Sequence, residues 1–407
     1  MPDPTTGTRF RPADPEFLAD PYPTYARLRA EAPVVWYEGW QAWLVTRHAD
    51  VDALLRDRRL GRMIHHLDPS PPPPQRPEHA AFHQVQEGSL LELEPPAHTR
   101  VKQAVQDVFT PRHVRALQPR IEVLMEDLID ALEARPERRA DLLRDVAEPL
   151  PLTVIAELLG VPEGERSLLL PWSRAIIGMF EPERTPAMES AAVRAADAFA
   201  TFVRERMAAK RRCPGDDLIS RMVALHDTEP ARLSEGEIVA NTILFLNAGH
   251  EAVVNTLGNG MLALLQHPAQ RTLLAAEPGL VGSAVEEMLR FDTPLQFFER
   301  RVLETMRVGA HEWPRGTRVC LFYAAANRDP AVFVDPDRFD VRRHPNPHVA
   351  FGLGVHYCIG APLARLELQC AVRAVLRRLP RLRLDGPLPG YQPRNVFRYL
   401  RALPVAY

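Results

Sequence analysis

The chain has 407 residues, with 50 basic and 52 acidic side chains and a formal net charge of -2. That balance implies no whole-molecule attraction to nucleic acid or to an anionic membrane. Hydrophobic residues make up 46% and charged residues 25%, the proportions of a soluble globular protein with length enough for one large core. No window approaches the roughly 18 uninterrupted apolar residues of a membrane span.

In chain order, the N-terminal stretch "MPDPTTGTRFRPADPEF" has no basic start followed by an apolar run, so a cytoplasmic chain without a leader is expected. "PVVWYE" (33–38) and "AWLVTR" (42–47) predict a hairpin about Gly39. The run Pro71 to Pro74 predicts a stiff extended loop. From Ala97 to about Gly282 apolar residues recur every three or four positions, a helical pattern broken at prolines. Within it, Ser234-Glu235-Gly236-Glu237 is a capping box, and Pro268 stops the helix it opens. Such a helix of about 32 residues spans about 48 Å and crosses a whole domain. Its centre, "LFLNAGHEAVVN" (244–255), nevertheless carries Asn247, Gly249, His250 and Glu251. Those residues are costly there unless something polar lies beside them. A β-rich patch at 297–323, an irregular stretch at 327–348 and a last helix over 359–378 follow. The whole reads as one domain, 1–407, mainly α with a smaller β region at about 30–65 and 297–323.

The second informative stretch is "AFGLGVHYCIGAPLARLEL" (350–368). Gly352 and Gly354 permit a tight loop, and Cys358 falls at the N-terminus of the helix opened by Ile359-Gly360-Ala361-Pro362. Amides and the helix dipole there favour a thiolate. A lone soft sulfur is wrong for structural zinc, which wants four ligands; it suits the axial position of a haem iron. Phosphate binding by the glycine loop is the competing reading, but the dinucleotide fingerprint needs glycine where Tyr357 stands. Four separated cysteines exclude a disulfide framework, and Cys213, Cys320 and Cys370 read as inert thiols.

The loop resembles the haem-binding loop of the cytochrome P450 family, Phe-Gly-x-Gly-x-His-x-Cys-x-Gly, matched here by Phe351, Gly352, Gly354, His356, Cys358 and Gly360. The resemblance extends over essentially the whole chain in order and spacing. It implies a haem buried between the long central helix and the cysteine loop, with Cys358 as the iron ligand. It further implies a structural Glu287–Arg290 pair joined by an arginine of the irregular segment, assigned here to Arg338. His98, Lys102, Arg300 and His356 are the implied contacts of the haem propionates. Lys102 stands where arginine is usual, and Arg301 competes with Arg300.

On the central helix the resemblance implies that Ala248 and Gly249 are small to admit the porphyrin and dioxygen. Glu251 is the implied proton-relay acid. Ala252 replaces the usual threonine, whose hydroxyl holds the relay water. His250 reads as a polar residue facing away from the haem. The implied substrate lining is Leu244, Asn247, Ala248, Ala252, Leu295, Phe297 and Val396, under a lid from about Leu67 to Leu91 and a roof "IIGMF" (176–180). The implied activity is haem b-dependent monooxygenation of a lipophilic small molecule by dioxygen. Ferredoxin and ferredoxin reductase are the implied donors, docking near Arg100, Arg112, Arg343 and Arg365. A non-hydroxylating or peroxide-driven reaction is the alternative that Ala252 raises, and a non-catalytic haem-binding protein is the remote one.

Overall fold

The computed structural model describes residues 10–62 and 77–407. The proline run Pro71 to Pro74 and the first part of the expected lid, 67–76, lie outside the described residues. Five strands form the larger sheet: β1 (Val34–Tyr37), β2 (Ala42–Val45), β3 (Leu60–Gly61), β4 (Phe298–Val302) and β5 (Arg318–Leu321). Their order is β1-β2-β5-β4-β3. The expected hairpin pairs Val34 with Val45, β2 runs parallel to β5 with Leu44 opposite Cys320, and β4 sets Arg300 opposite Val319. The helices that build the site are α1 (Ala97–Val105), α2 (Pro111–Glu133), α3 (Pro149–Leu159), α4 (Leu169–Ile177), α5 (Pro186–Arg212), α6 (Glu235–Gln266), α7 (Val281–Phe291) and α8 (Ala361–Arg378).

Helix α6 is the axis of this arrangement. Ser234 Oγ accepts from the Glu237 amide at 3.2 Å, and the Glu237 carboxylate accepts from the Ser234 amide at 2.8 Å. The box satisfies two of the donors that a helix start leaves unpaired. His267 then caps the far end and Pro268 begins the next helix. Helices α2, α3, α7 and α8 share one hydrophobic core with α6, and a second core joins the N-terminal segment to β1, β2 and the strand region about Phe297.

The polar residues of α6 find partners in neighbouring turns. Asn241 accepts from the Leu90 amide at 2.9 Å and donates to the Gly88 carbonyl at 2.9 Å, which pins the turn after the short helix Ala80–Glu87. Asn259 donates to the Arg398 carbonyl at 3.0 Å. The cost of burying an amide is thereby offset. Buried α6 atoms left without a partner include Asn247 Oδ1, Thr242 Oγ1, Asn259 Oδ1 and both ring nitrogens of His250.

Candidate functional site

From Ile238 to Leu264 every residue of α6 is buried except Leu244, Ala248, Gly249 and Ala252. Leu244, Ala248 and Ala252 recur at the four-residue interval that places side chains on one helix face, and Ala248 is exposed although the helix around it is not. Deep inside the molecule, that face borders a cleft. Gly249 lies one residue off the row, and a Cβ there would come within 3.1 Å of the Ile155 side chain on α3. Gly249 is itself only partly buried. Its smallness also lets α3 pack closely.

The cysteine loop holds its shape through two left-handed glycines, Gly352 at φ 64° and Gly354 at φ 70°. A side chain at Gly354 would collide with the Leu55 carbonyl and come within 3.3 Å of Arg56 Cα. The Cys358 amide donates to the Phe351 carbonyl at 3.1 Å, closing the loop. Burial pushes the Cys358 thiol up, while the amides of Gly360 and Ala361 and the Arg365 guanidinium pull it down. Burial outweighs these donors and leaves the free thiol raised, but donors at the start of α8 are of the kind that support a sulfur once it is bound to a metal.

Basic groups cluster beside it. Arg300 is buried, donates only to the Glu299 carbonyl at 3.0 Å, and has no carboxylate partner among the described residues. Arg301 is paired with Glu299 at 3.2 Å, so of the two adjacent arginines Arg300 keeps its charge available. The rings of His98 and His356 lie 5.0 Å apart. Burial, His356 and Lys102 together lower His98 to about 4. His356 Nε2 lies 3.0 Å from Glu94, a buried carboxylate that also accepts from the Arg62 amide at 2.6 Å. Glu94 was not singled out from the sequence, although it lies four residues before His98. Cationic and imidazole groups around so little opposing charge are unfavourable unless carboxylates join them. Two propionates beside a single sulfur donor meet that need, so this donor set fits haem b.

The Glu287–Arg290 pair is fully buried, with two bonds of 2.7 and 2.8 Å. The third partner is Arg343, whose Nε lies 3.1 Å from Glu287, and the expected Arg338 is corrected. The Arg338 side chain is 63% exposed and faces Asp340 at 3.7 Å; only its main-chain carbonyl joins the cluster, accepting from Arg290 and Arg343. Arg343 is consequently not free on the surface. Arg100 pairs with Glu237 and Arg365 with Glu286 at 2.7 Å. Arg112 is exposed, without an ion-pair partner among the described residues.

Around the cleft, Glu251 is 7% exposed, with Asn255 Nδ2 at 3.5 Å and His250 Nδ1 at 3.8 Å. Burial raises its pKa, against the pull of Arg174 and Arg394. Two expected lining residues are corrected. Phe297 stacks on Trp40 and Phe322, with centroids 5.0 and 4.8 Å away, and Val396 shares that core. Leu295 and Phe397 form an isolated bridge and remain partly exposed. The roof contains the buried Ile176 and Met179. The buried Glu181, unforeseen from sequence, accepts from the amides of Asn395 at 2.9 Å and Val396 at 3.4 Å, tying roof to C-terminal turn.

A mainly helical fold with a lone cysteine donor at the start of α8 and a small-residue face on its longest helix fits a haem-thiolate oxidoreductase. The cytochrome P450 family model matches residues 279–384. Cytochrome P450 monooxygenase PikC of Streptomyces venezuelae is 41% identical over 399 residues, covering 96% of this chain and 92% of that protein. The structure of P450BioI in complex with hexadec-9Z-enoic acid ligated acyl carrier protein superposes with a TM-score of 0.90 at 34% identity, covering 96% of this chain and 99% of that one. Myxobacterial CYP267B1 in complex with myristic acid gives 0.87 at 37% identity, over 97% and 98% of the two chains. The chain belongs to the cytochrome P450 family and is an oxidoreductase that uses haem b. No helix among the described residues is long and apolar enough to cross a membrane.

Proposed function

We propose that this chain, as one domain of 1–407, is a cytoplasmic monooxygenase that inserts oxygen from dioxygen into a lipophilic small molecule. Separate proteins, a ferredoxin and its reductase, supply the electrons. Haem, held through its iron by Cys358, supplies the activation of dioxygen when bound. Every other task falls to side chains. Arg300, Lys102 and His98 hold the propionates, with His356 linked through Glu94. Phe351, Gly352 and Gly360 shape the ligand loop. Leu244, Ala248 and Ala252 present a low wall to the substrate, which Leu295 continues. Asn247, with its unpartnered buried oxygen, meets a polar group of that molecule. Glu251 keeps a proton at its carboxyl, since burial favours the neutral form, and passes it into the cleft.

The observation that carries this reading is the row Leu244, Ala248, Ala252 on an otherwise buried helix. The fatty acyl ligands of the two structures described above agree with an apolar cleft. Hexadec-9Z-enoic acid titrated into the haem-loaded protein tests it: a saturable displacement of the resting haem spectrum is expected, and its weakening in Ala248→Phe. No spectral response to this acid or to other apolar compounds refutes the lipophilic class.

Ala252 favours a second reading, a non-hydroxylating or peroxide-driven reaction, because a methyl group holds no water. Turnover with peroxide alone that equals turnover with the redox proteins supports that alternative.

A further inference from the structure

His250 is 1% exposed, yet neither of its ring nitrogens makes a hydrogen bond of full geometry, the Glu148 carbonyl lying only near enough to favour a proton on the ring. An imidazole hidden this completely ordinarily satisfies both nitrogens, because a lost bond at a buried polar atom costs about 1–3 kcal/mol. Nδ1 faces Glu251 Oε2 at 3.8 Å, beyond hydrogen-bond length and within reach of a small side-chain rotation. On the other side lie the Glu148 carbonyl, which favours a proton on the ring, and Arg174 of α4, which disfavours one. Glu148 and Arg174 are ion-paired, with side chains 24% and 53% exposed. These groups run inward from solvent: a surface ion pair, a sealed imidazole, then a sealed carboxyl bordering the cleft.

We infer that His250 is the residue through which Glu251 regains its proton from solvent after each release into the cleft. The inference rests on the reading of Glu251 as the proton-holding acid. The transfer balances: a proton leaves His250 Nδ1 for Glu251 Oε2 as water on the Glu148 side gives one to Nε2. Return of the ring to its first tautomer completes the cycle, and no oxidant or reductant is needed. His250 acts through Glu251 and touches no reacting atom, so it is a positioning residue. The groups facing the pair are Arg174 on α4, the Glu148 main chain and carboxylate before α3, and Asn255 on α6. From the C-terminal turn Arg394 and Tyr399 also face Glu251. Burial lowers His250 to about 4, which keeps it neutral near pH 7, the form that accepts at one nitrogen and donates at the other.

The test follows proton exchange at the Glu251 carboxyl by infrared spectroscopy of the haem-loaded protein after mixing with D2O, below the midpoint of that carboxyl. The band is identified by its loss in Glu251→Gln. In the native protein the carbonyl stretch shifts to its deuterated position within the mixing time. In His250→Leu the shift slows on the order of 100-fold, with the haem spectrum unchanged. His250→Gln, which keeps a polar side chain and cannot relay, slows it as well and serves where the leucine variant fails to fold. Native exchange rates in both variants overturn the relay and leave the acid reading of Glu251 standing. Absence of the band from the native protein overturns the acid reading and the relay with it. Loss of the Soret band in Glu251→Gln would place that residue's role in haem binding and overturn both.

Discussion

Replacement of Arg343 by alanine removes more than one ion pair. Its Nε lies 3.1 Å from Glu287, and its other nitrogens donate to the carbonyls of Val334 at 2.7 Å, Asp335 at 3.1 Å and Arg338 at 2.9 Å. Glu287 has no exposure and keeps Arg290, Asn346 at 3.3 Å and the Asp340 amide at 2.9 Å. The carboxylate is therefore not stranded, which places the cost toward the lower end of the range for breaking a buried pair, about 3–5 kcal/mol. The freed carbonyls reach water, because these bonds lie near the surface, and add little. Arg343→Ala is accordingly expected to cost about 3 kcal/mol, whereas Arg338→Ala, an exposed change, stays within about 0.5 kcal/mol. Urea unfolding of the haem-loaded protein, followed by the Soret band and by far-ultraviolet circular dichroism, measures both. Equal losses for the two variants, or a loss below about 1 kcal/mol for Arg343→Ala, would refute the assignment of the third partner.

Three further outcomes are expected. Ala252→Thr restores a hydroxyl beside the cleft and changes the ratio of product formed to reductant consumed; an unchanged ratio and an unchanged peroxide yield show that Ala252 is not a gap in proton delivery. Gly354→Ala forces a side chain onto a backbone at φ 70° against Leu55, so the loop is strained by about 1–3 kcal/mol and haem content of the purified protein falls. For Glu286, burial opposes ionisation, but bonds from Arg365 and His348 outweigh it and hold the group at about 2. A depressed carboxylate stabilises the fold above its unfolded value near 4.5 and loses that contribution as pH falls toward 2. Between those limits native protein therefore loses roughly 2 kcal/mol more than Glu286→Gln, after allowance for screening. Parallel acid unfolding curves contradict the assignment.

The parts of this architecture legible in the sequence were those with a local rule. Ser234 and Glu237 mark a helix start by spacing alone, and Gly352, Gly354 and Cys358 define a loop by backbone permission and donor chemistry. What was not legible depended on direction within segments that have no period. Arg338 and Arg343 both lie in an irregular stretch, where nothing in the spacing says which guanidinium turns inward. Phe297 and Val396 sit beside an isolated bridge, Leu295 to Phe397, so strand alternation gives no reliable face. The packing of α3 against Gly249 was likewise not legible, because a glycine inside a motif does not say which neighbour comes close. The solitude of His250 was invisible from sequence: an unsatisfied nitrogen is a property of surroundings assembled from α3, α4 and α6.

The account stands most directly on the identity of the iron's protein ligand. The carbon monoxide complex of the reduced, haem-loaded protein, recorded beside Cys358→His, tests it. The native protein is expected to show the strongly red-shifted Soret band of a thiolate-bound haem, and the variant to lose it for the position typical of an imidazole-bound haem. The same band in both proteins would contradict the assignment of Cys358 as the ligand, and with it the chemistry built above that residue.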